Sequence, residues 1–399
     1  MMERKVRIAA IGVGNRNGKY LRYVSLHPDR VELAAIVEPD SVRMEACRKA
    51  FSLAPGQCFA TAGEFFAQDG LCDGVIIGSP DKEHYSQAMA AISKGYHVLL
   101  EKPVAQTYGQ CLDIARAARE KGVKVGVCYV MRLMPIYMKV KELLDGGSIG
   151  RITAVSHHEF VGIDRMLHTY VRGFWNKASE SNPSFLSKCC HDVDALLWMT
   201  GAKIVSVRSV GGLEWYRPEN APEGSTQRCI DCPVEKACAY SAIDMYIRRG
   251  AWTDNFPIPE GKTKAEVLQE EMRSGRYGVC AFRCGNDVAD RQVVTMKSSD
   301  GALLTVEMNA FTRREGRRTV ISGTLGEILL DGWVIELRDH RSGEVSRYDF
   351  TSDASKPLHA NADLAIVEDF ICAMEDPSRR PAISIEDSLE SHRICFEAG

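Results

Sequence analysis

The first group in this chain with the makings of chemistry is a lysine at the end of an apolar run. Residues 97–103 read HVLLEKP. The run 97–100 is short and apolar, as expected of a strand buried in a parallel sheet. In open α/β sheets, ligands bind at the carboxyl ends of the strands. Lys102 would hold an ammonium group there, with Glu101 beside it and Pro103 stiffening the backbone behind. Taken alone, the tripeptide is better read as a surface lysine before a turn; the rest of the chain reverses that balance.

The second such group is a glycine-rich turn. Residues 6–11 (VRIAAI) predict a strand that runs into Gly12-Val13-Gly14-Asn15-Arg16-Asn17-Gly18, then into a helical stretch over 19–26. A second strand over 31–37 ends at Glu38. Gly12 permits a tight turn, and Gly14 lets backbone N–H groups approach a pyrophosphate at the helix N-terminus. Glu38 follows at the spacing at which a carboxylate accepts hydrogen bonds from a ribose 2′-hydroxyl, and it would repel a 2′-phosphate. NAD is therefore favoured over NADP. The third glycine of the usual G-x-G-x-x-G falls on Asn17, with Gly18 one step late. The candidate cofactor contacts are Gly12, Gly14, Asn15, Arg16, Asn17 and Glu38, with Ser79 and His84 at a further strand end and Glu101 with Lys102.

Two later stretches stand out by composition. Residues 166–177 (MLHTYVRGFWNK) are basic and aromatic. Rings stack on the C–H faces of sugars and cations bind hydroxyls, so His168, Arg172 and Trp175 are candidate substrate contacts; an ordinary loop reads the same way. His157 and His158, on the strand before it, are weaker candidates of the same kind. Cys229, Cys232 and Cys238 form a C-x2-C-x5-C cluster, followed by Cys280 and Cys284. In a reducing compartment this spacing fits structural zinc on Cys229, Cys232, Cys238 and Cys280; the alternative is reduced thiols packing an insertion.

These groups need a scaffold to position them. At 399 residues the chain is long for one core. Strands and helices alternate from residue 6 to 128, predicting a doubly wound parallel sheet. Beyond 129 the strands lengthen and alternate, as in RITAVSHHEFVG, DRQVVTMKSS and ALLTVEMNAFT. That pattern predicts a large, mostly antiparallel open sheet with one helical face, interrupted by a helix over 191–199 and closed by helices near 362–374 and 385–396. The expected division is a dinucleotide-binding domain over 1–128 and a substrate and oligomerisation domain over 129–399. Net charge is −3, from 50 basic and 53 acidic residues, which gives no electrostatic case for nucleic acid or a membrane surface. No apolar run approaches membrane-spanning length and no leader is visible, so a cytoplasmic protein is expected.

The opening VRIAAIGVGNRNG, the acid ending the second strand, LLEKP, YVMRLMP and HDVD follow one another in the order of the Gfo/Idh/MocA oxidoreductase family, which the chain resembles over nearly its whole length. The resemblance implies a Rossmann domain with a C-terminal α/β domain. It also implies NAD(P)-linked oxidation or reduction of a secondary hydroxyl on a sugar, glycoside or cyclitol, by a homodimer or homotetramer. Lys102 matches the family's substrate-binding lysine, His191 its general acid/base and Asp194 the aspartate one helical turn later. Many relatives carry an Asp four residues before this histidine; here it is Ser187, followed by Lys188, a second candidate cation at the cleft. Oxidising CH–OH needs a base for the hydroxyl proton, which suits His191, and a cation for the developing alkoxide, which suits Lys102. Two rivals stay open: a redox-neutral NAD-dependent glycosidase of the same family, and a regulatory protein that binds NAD without catalysis. Relatives usually run on past the equivalent of Gly399, so a few further residues are expected.

Overall fold

Short apolar runs build the first sheet because both of its faces are covered. In the computed structural model, which describes residues 4–354, 359 and 361–399, β1 (Val6–Ile11), β2 (Val31–Val37), β3 (Cys58–Phe59), β4 (Gly74–Ile77), β5 (His97–Leu100) and β6 (Val125–Val127) lie in the order β3-β2-β1-β4-β5-β6. All five pairings are parallel. Helices α1 (Asn15–Leu26), α2 (Ser41–Ala50), α3 (Ala62–Phe66), α4 (His84–Ser93) and α5 (Tyr108–Lys121) make the crossovers. Strand order reverses between β1 and β4, so the crevice at their carboxyl ends is the binding position in this topology. The α2 helix was not anticipated; the Asp40 side chain caps it by accepting from Val42 N and Arg43 N at 3.0 Å.

The glycine-rich turn shows what replaces the missing third glycine. Gly12 has φ +77°, and a Cβ there would stand 3.0 Å from Gly78 O. Asn17 is fully buried, and its Nδ2 donates to Gly12 O at 2.6 Å and Ile11 O at 3.1 Å. The side chain of Asn17 thus fills the space between α1 and β4 that a glycine would leave open. It can do so because residue 78 is itself glycine: a Cβ on Gly78 would lie 2.6 Å from Asn17 Oδ1. Gly78→Ala is expected to cost about 1–3 kcal/mol through overpacking. The added change Asn17→Gly should recover most of that loss in chemical denaturation. Equal stability of Gly78→Ala and the unaltered chain would refute the exchange.

After α6 (Pro135–Asp145) the chain forms β7 (Ile152–Phe160), the single turn α7 (Ile163–Arg165), α8 (Ser184–Thr200), β8 (Ile204–Gly212) and α9 (Lys264–Ser274). It continues through β9 (Arg291–Ser298), β10 (Leu303–Asn309), β11 (Gly316–Gly323), β12 (Gly326–Asp331), β13 (Val334–Asp339), β14 (Val345–Asp349), α10 (Thr351–Ala354), α11 (Ala362–Glu375) and α12 (Ile385–Glu397). The second sheet has the order β14-β13-β12-β11-β7-β10-β9-β8, with only β7 and β10 parallel. Ahead of α6 a 3-10 turn covers Val130–Leu133, and Pro135 opens α6, where its missing N–H costs nothing. The helix expected from 191 begins at Ser184. The final helices return to the first sheet, α11 against α1 and α12 between α5 and α8. Among the described residues, no helix is long and apolar enough to cross a membrane.

Candidate active site at the carboxyl end of β5

Helix α8 carries the site because its residues sort by helical period onto different faces. Ser187 and His191 share one face, and Lys188 and Asp192 share another. Lys102, just beyond β5, donates from Nζ to the backbone carbonyl of Ser187 at 2.7 Å. That bond sets the ammonium against the turn of α8 preceding His191. The ring of Tyr129 packs edge-on to His191 at 5.6 Å between centroids. His191 Nδ1 and Ser187 Oγ are both buried without a hydrogen-bond partner. Burial, reinforced by the positive charges of Lys102 and Arg317, pushes the His191 imidazole well below the ordinary histidine range. The ring is therefore neutral near pH 7 and able to accept a proton.

The other face of α8 meets the second sheet in a buried ionic network. Lys188 Nζ lies 3.0 Å from Glu159 Oε1, and Arg317 Nε lies 3.0 Å from Glu159 Oε2. Arg317 also pairs with Asp192. His157 stands between Asp192 Oδ1 at 3.0 Å and Thr319 Oγ1 at 2.8 Å. The sheet builds this set: Glu159 and His157 alternate inward on β7, and register places Arg317 opposite Glu159 and Thr319 opposite His157. Two cations and two carboxylates balance there, so burial is tolerated. Desolvation lowers the Lys188 ammonium, with Glu159 opposing. Lys188 is thus held by the sheet rather than left as a free second cation. Asp194 is likewise occupied: Arg132 grips it through Nε at 2.7 Å and Nη2 at 2.6 Å.

On the nucleotide side, α1 starts at Gly14 with no side-chain cap, and nothing lies within 4 Å of where a Gly14 Cβ would be. A helix start without a side-chain cap suits an anion. Glu38 is buried at the end of β2, accepting from Val13 N at 2.7 Å and Asp40 N at 3.1 Å. These features fit a dinucleotide: an open N-terminus for pyrophosphate and a fixed carboxylate for a ribose. Arg16 bridges Glu101 at 2.7 Å and Asp363 at 2.8 Å, and His359 stands 2.7 Å from Asp363. Glu101 stays ionised although burial opposes this, because Arg16 and Lys102 flank it. The ring nitrogens of His84 lie 2.7 Å from Pro103 O and 3.0 Å from Ser79 O, so His84 ties the β4 and β5 loops together. Ser79 Oγ donates to Gln87 at 2.7 Å.

The basic and aromatic segment divides. Trp175 Nε1 donates to Asp81 at 3.2 Å, and Asn182 Nδ2 does so at 3.1 Å, so this segment clasps the loop after β4. His168 is sandwiched between Tyr277 and Trp252, with ring centroids 4.7 and 5.0 Å away. Burial lowers its imidazole to about 4. Arg172 is buried in the insertion, against Val279 O, Tyr240 O and the sulfur of Cys229. His158 faces the opposite side of the sheet, paired with Glu307 at 3.0 Å. Glu159, Arg317 and Asp81 carry no role in the sequence reading, and Asp192 and Arg132 enter it only within the HDVD and YVMRLMP motifs; the one available signal was the inward alternation of His157 and Glu159.

Residues 6–129 match the model of an oxidoreductase family with an NAD-binding Rossmann fold, and residues 137–228 match the Gfo/Idh/MocA C-terminal domain. YteT of Bacillus subtilis is 26% identical over 304 residues, covering 74% of this chain and 69% of that protein. Inositol 2-dehydrogenase 2 of Saccharopolyspora erythraea is 28% identical over 205 residues, half of this chain and 56% of its own length. Among solved structures, an Agrobacterium radiobacter oxidoreductase in complex with NAD+, L-tartaric acid and magnesium superposes with TM-score 0.70 at 15% identity, covering 99% of this chain and 96% of its own. The WlbA dehydrogenase of Bordetella pertussis, in complex with NADH and UDP-GlcNAcA, gives TM-score 0.67 at 17% identity, with the same coverage.

Proposed function

Because the chain belongs to the Gfo/Idh/MocA oxidoreductase family, we propose that it transfers hydride between NAD and a secondary hydroxyl or ketone of a sugar, glycoside or cyclitol, with His191 as acid/base and Lys102 as electrophilic partner. The observation that carries this reading is the bond from Lys102 Nζ to Ser187 O, which sets an ammonium beside an imidazole whose buried Nδ1 has no partner. When bound, the nicotinamide supplies the hydride acceptor. His191, neutral at working pH, accepts the hydroxyl proton. Lys102 stabilises the charge that develops on the carbinol oxygen, an interaction stronger in the transition state than with the neutral alcohol. Glu101 and Arg16 hold the lysine's turn, and Asp192, Glu159 and Arg317 anchor α8 from below. The inositol dehydrogenase relatives and the UDP-GlcNAcA complex of a neighbour of the same fold support a polyhydroxylated substrate. The test is the near-ultraviolet absorbance of reduced nicotinamide across a panel of sugars, cyclitols and glycosides. Reduction of NAD by at least one of them is expected; no reduction by any, with cofactor bound, would overturn the reading.

NAD is preferred to NADP on this reading, because Glu38 is buried, fixed by two backbone N–H groups and close to the glycine-rich turn. A 2′-phosphate beside a fixed carboxylate carries a repulsion that a 2′-hydroxyl does not. Glu38→Ser is expected to narrow the ratio of kcat/KM for NAD over NADP by about 10- to 100-fold, about 1.4–2.8 kcal/mol. An unchanged ratio in the variant would remove Glu38 from cofactor choice.

A further inference from the structure

We infer that the insertion between β8 and β9 binds a single zinc ion through Cys229, Cys232, Cys238 and Cys280, with Arg172 as its charge-balancing neighbour. The sequence supplies five thiols here; the fold selects four. A backbone bridge between Arg228 and Val279 brings the two halves of the insertion together and sets Cys229 next to Cys280. Cys280 N also donates to Gln227 O at 3.0 Å. Cys232 and Cys238 follow tight 3-10 turns at Cys229–Asp231 and Glu235–Ala237. These four residues line a cavity of about 10 Å³, room for about one water-sized sphere. That volume is of the size one ion takes. The fifth thiol, Cys284, donates instead to Cys280 O at 3.2 Å.

Arg172 supplies the independent observation. It is 1% exposed. Nε donates to Val279 O at 2.8 Å and Nη2 to Tyr240 O at 2.6 Å, while Nη1 has no partner. Among the described residues no carboxylate pairs with it; its remaining contact is Cys229 Sγ, 3.9 Å from Nη2. A buried guanidinium without an anion is strongly disfavoured. Zinc bound by four thiolates carries two net negative charges, and such a group would meet that need. Ala242 N points at the same sulfur, 3.4 Å away, and Ser225 Oγ on the cavity wall is a second buried polar atom without a partner. The thiols ring the cavity without converging, and among the described residues no three His, Cys, Asp or Glu side chains stand in ligand geometry. Zinc–sulfur bonds of about 2.3 Å would draw them inward. The ion orders a wall rather than reacting: Arg172 lies in the segment whose Trp175 and Asn182 clasp Asp81.

The test is elemental analysis of the full chain, purified from zinc-supplemented cells and washed with a weak chelator, for the unaltered protein, Cys280→Ser and Cys284→Ser. About one zinc per chain is expected in the unaltered protein and in Cys284→Ser, with at least a tenfold loss in Cys280→Ser. Zinc absent from the unaltered protein, equal zinc in all three, or iron with sulfide would overturn the site. Should Cys280→Ser fail to fold, cobalt loading of the unaltered chain decides. Tetrahedral d–d bands with thiolate-to-cobalt charge transfer support the site; a pale octahedral spectrum overturns it.

Discussion

His191→Asn and Lys102→Met are each expected to lower kcat by about 10²- to 10⁴-fold while leaving NAD binding within a few-fold. On the proposed mechanism, the first removes the proton acceptor and the second removes the cation facing the developing alkoxide. The pH dependence tells the two roles apart. Oxidation needs the neutral imidazole, and burial together with Lys102 lowers the folded-state pKa of His191 well below the usual histidine value. The active form therefore persists as pH falls, and kcat for oxidation should stay level through about 6.5, where an ordinary histidine would begin to protonate. Removing the Lys102 charge takes away one of the causes of that depression. The residual activity of Lys102→Met should accordingly lose rate at a higher pH than the unaltered enzyme does. An acidic limb at the ordinary histidine position, unmoved by Lys102→Met, would separate the two residues and refute their partnership.

Asp194→Asn is expected to destabilise the fold by about 3–5 kcal/mol, the cost of leaving one member of a buried ion pair unpaired. Asp194 is 1% exposed, and Arg132 binds it through two nitrogens. The carboxylate thus joins α8 to the 3-10 turn between β6 and α6, which fixes the helix bearing His191 relative to the first sheet. Set against a typical total of about 5–15 kcal/mol, the loss should show clearly in chemical denaturation. The double variant Asp194→Asn with Arg132→Met should be more stable than Asp194→Asn alone, because the uncompensated cation is gone. A double variant no more stable than the single would mean that hydrogen bonding, rather than charge, holds the joint.

The nucleotide half of this molecule is legible in sequence because its signals are local. A strand, a glycine turn, a helix and an acid follow within 38 residues, and each depends on neighbours in the chain. Even the irregular Asn17 becomes intelligible once Gly78 is seen opposite it, but that pairing spans two strands and no local pattern reports it. Lys102 and His191 stand out in the sequence through their motifs, and the fold sets Lys102 Nζ on the helix that carries His191. The network of Glu159, Arg317, Asp192 and His157 was hidden for a different reason. It depends on the register of β7 against β11, which only the folded sheet sets. Composition alone does not place these side chains: in a loop whose His, Arg and Trp suit a sugar, His168 stands in an aromatic stack, Arg172 lies among thiols and Trp175 donates to Asp81. Asp194 and Lys188 sit on the motif helix as expected, but the helix turns them toward Arg132 and Glu159.

The central claim, hydride transfer at a carbinol carbon promoted by Lys102 and His191, is tested most directly by isotope tracing. The enzyme with bound NAD is mixed with sugars and cyclitols deuterated at their carbinol carbons, and the recovered nicotinamide is read by NMR. The account predicts deuterium at the nicotinamide C4 with at least one compound, and labelling slower by about 10²- to 10⁴-fold with Lys102→Met or His191→Asn. Cofactor that stays bound yet gains no deuterium from any compound would contradict it.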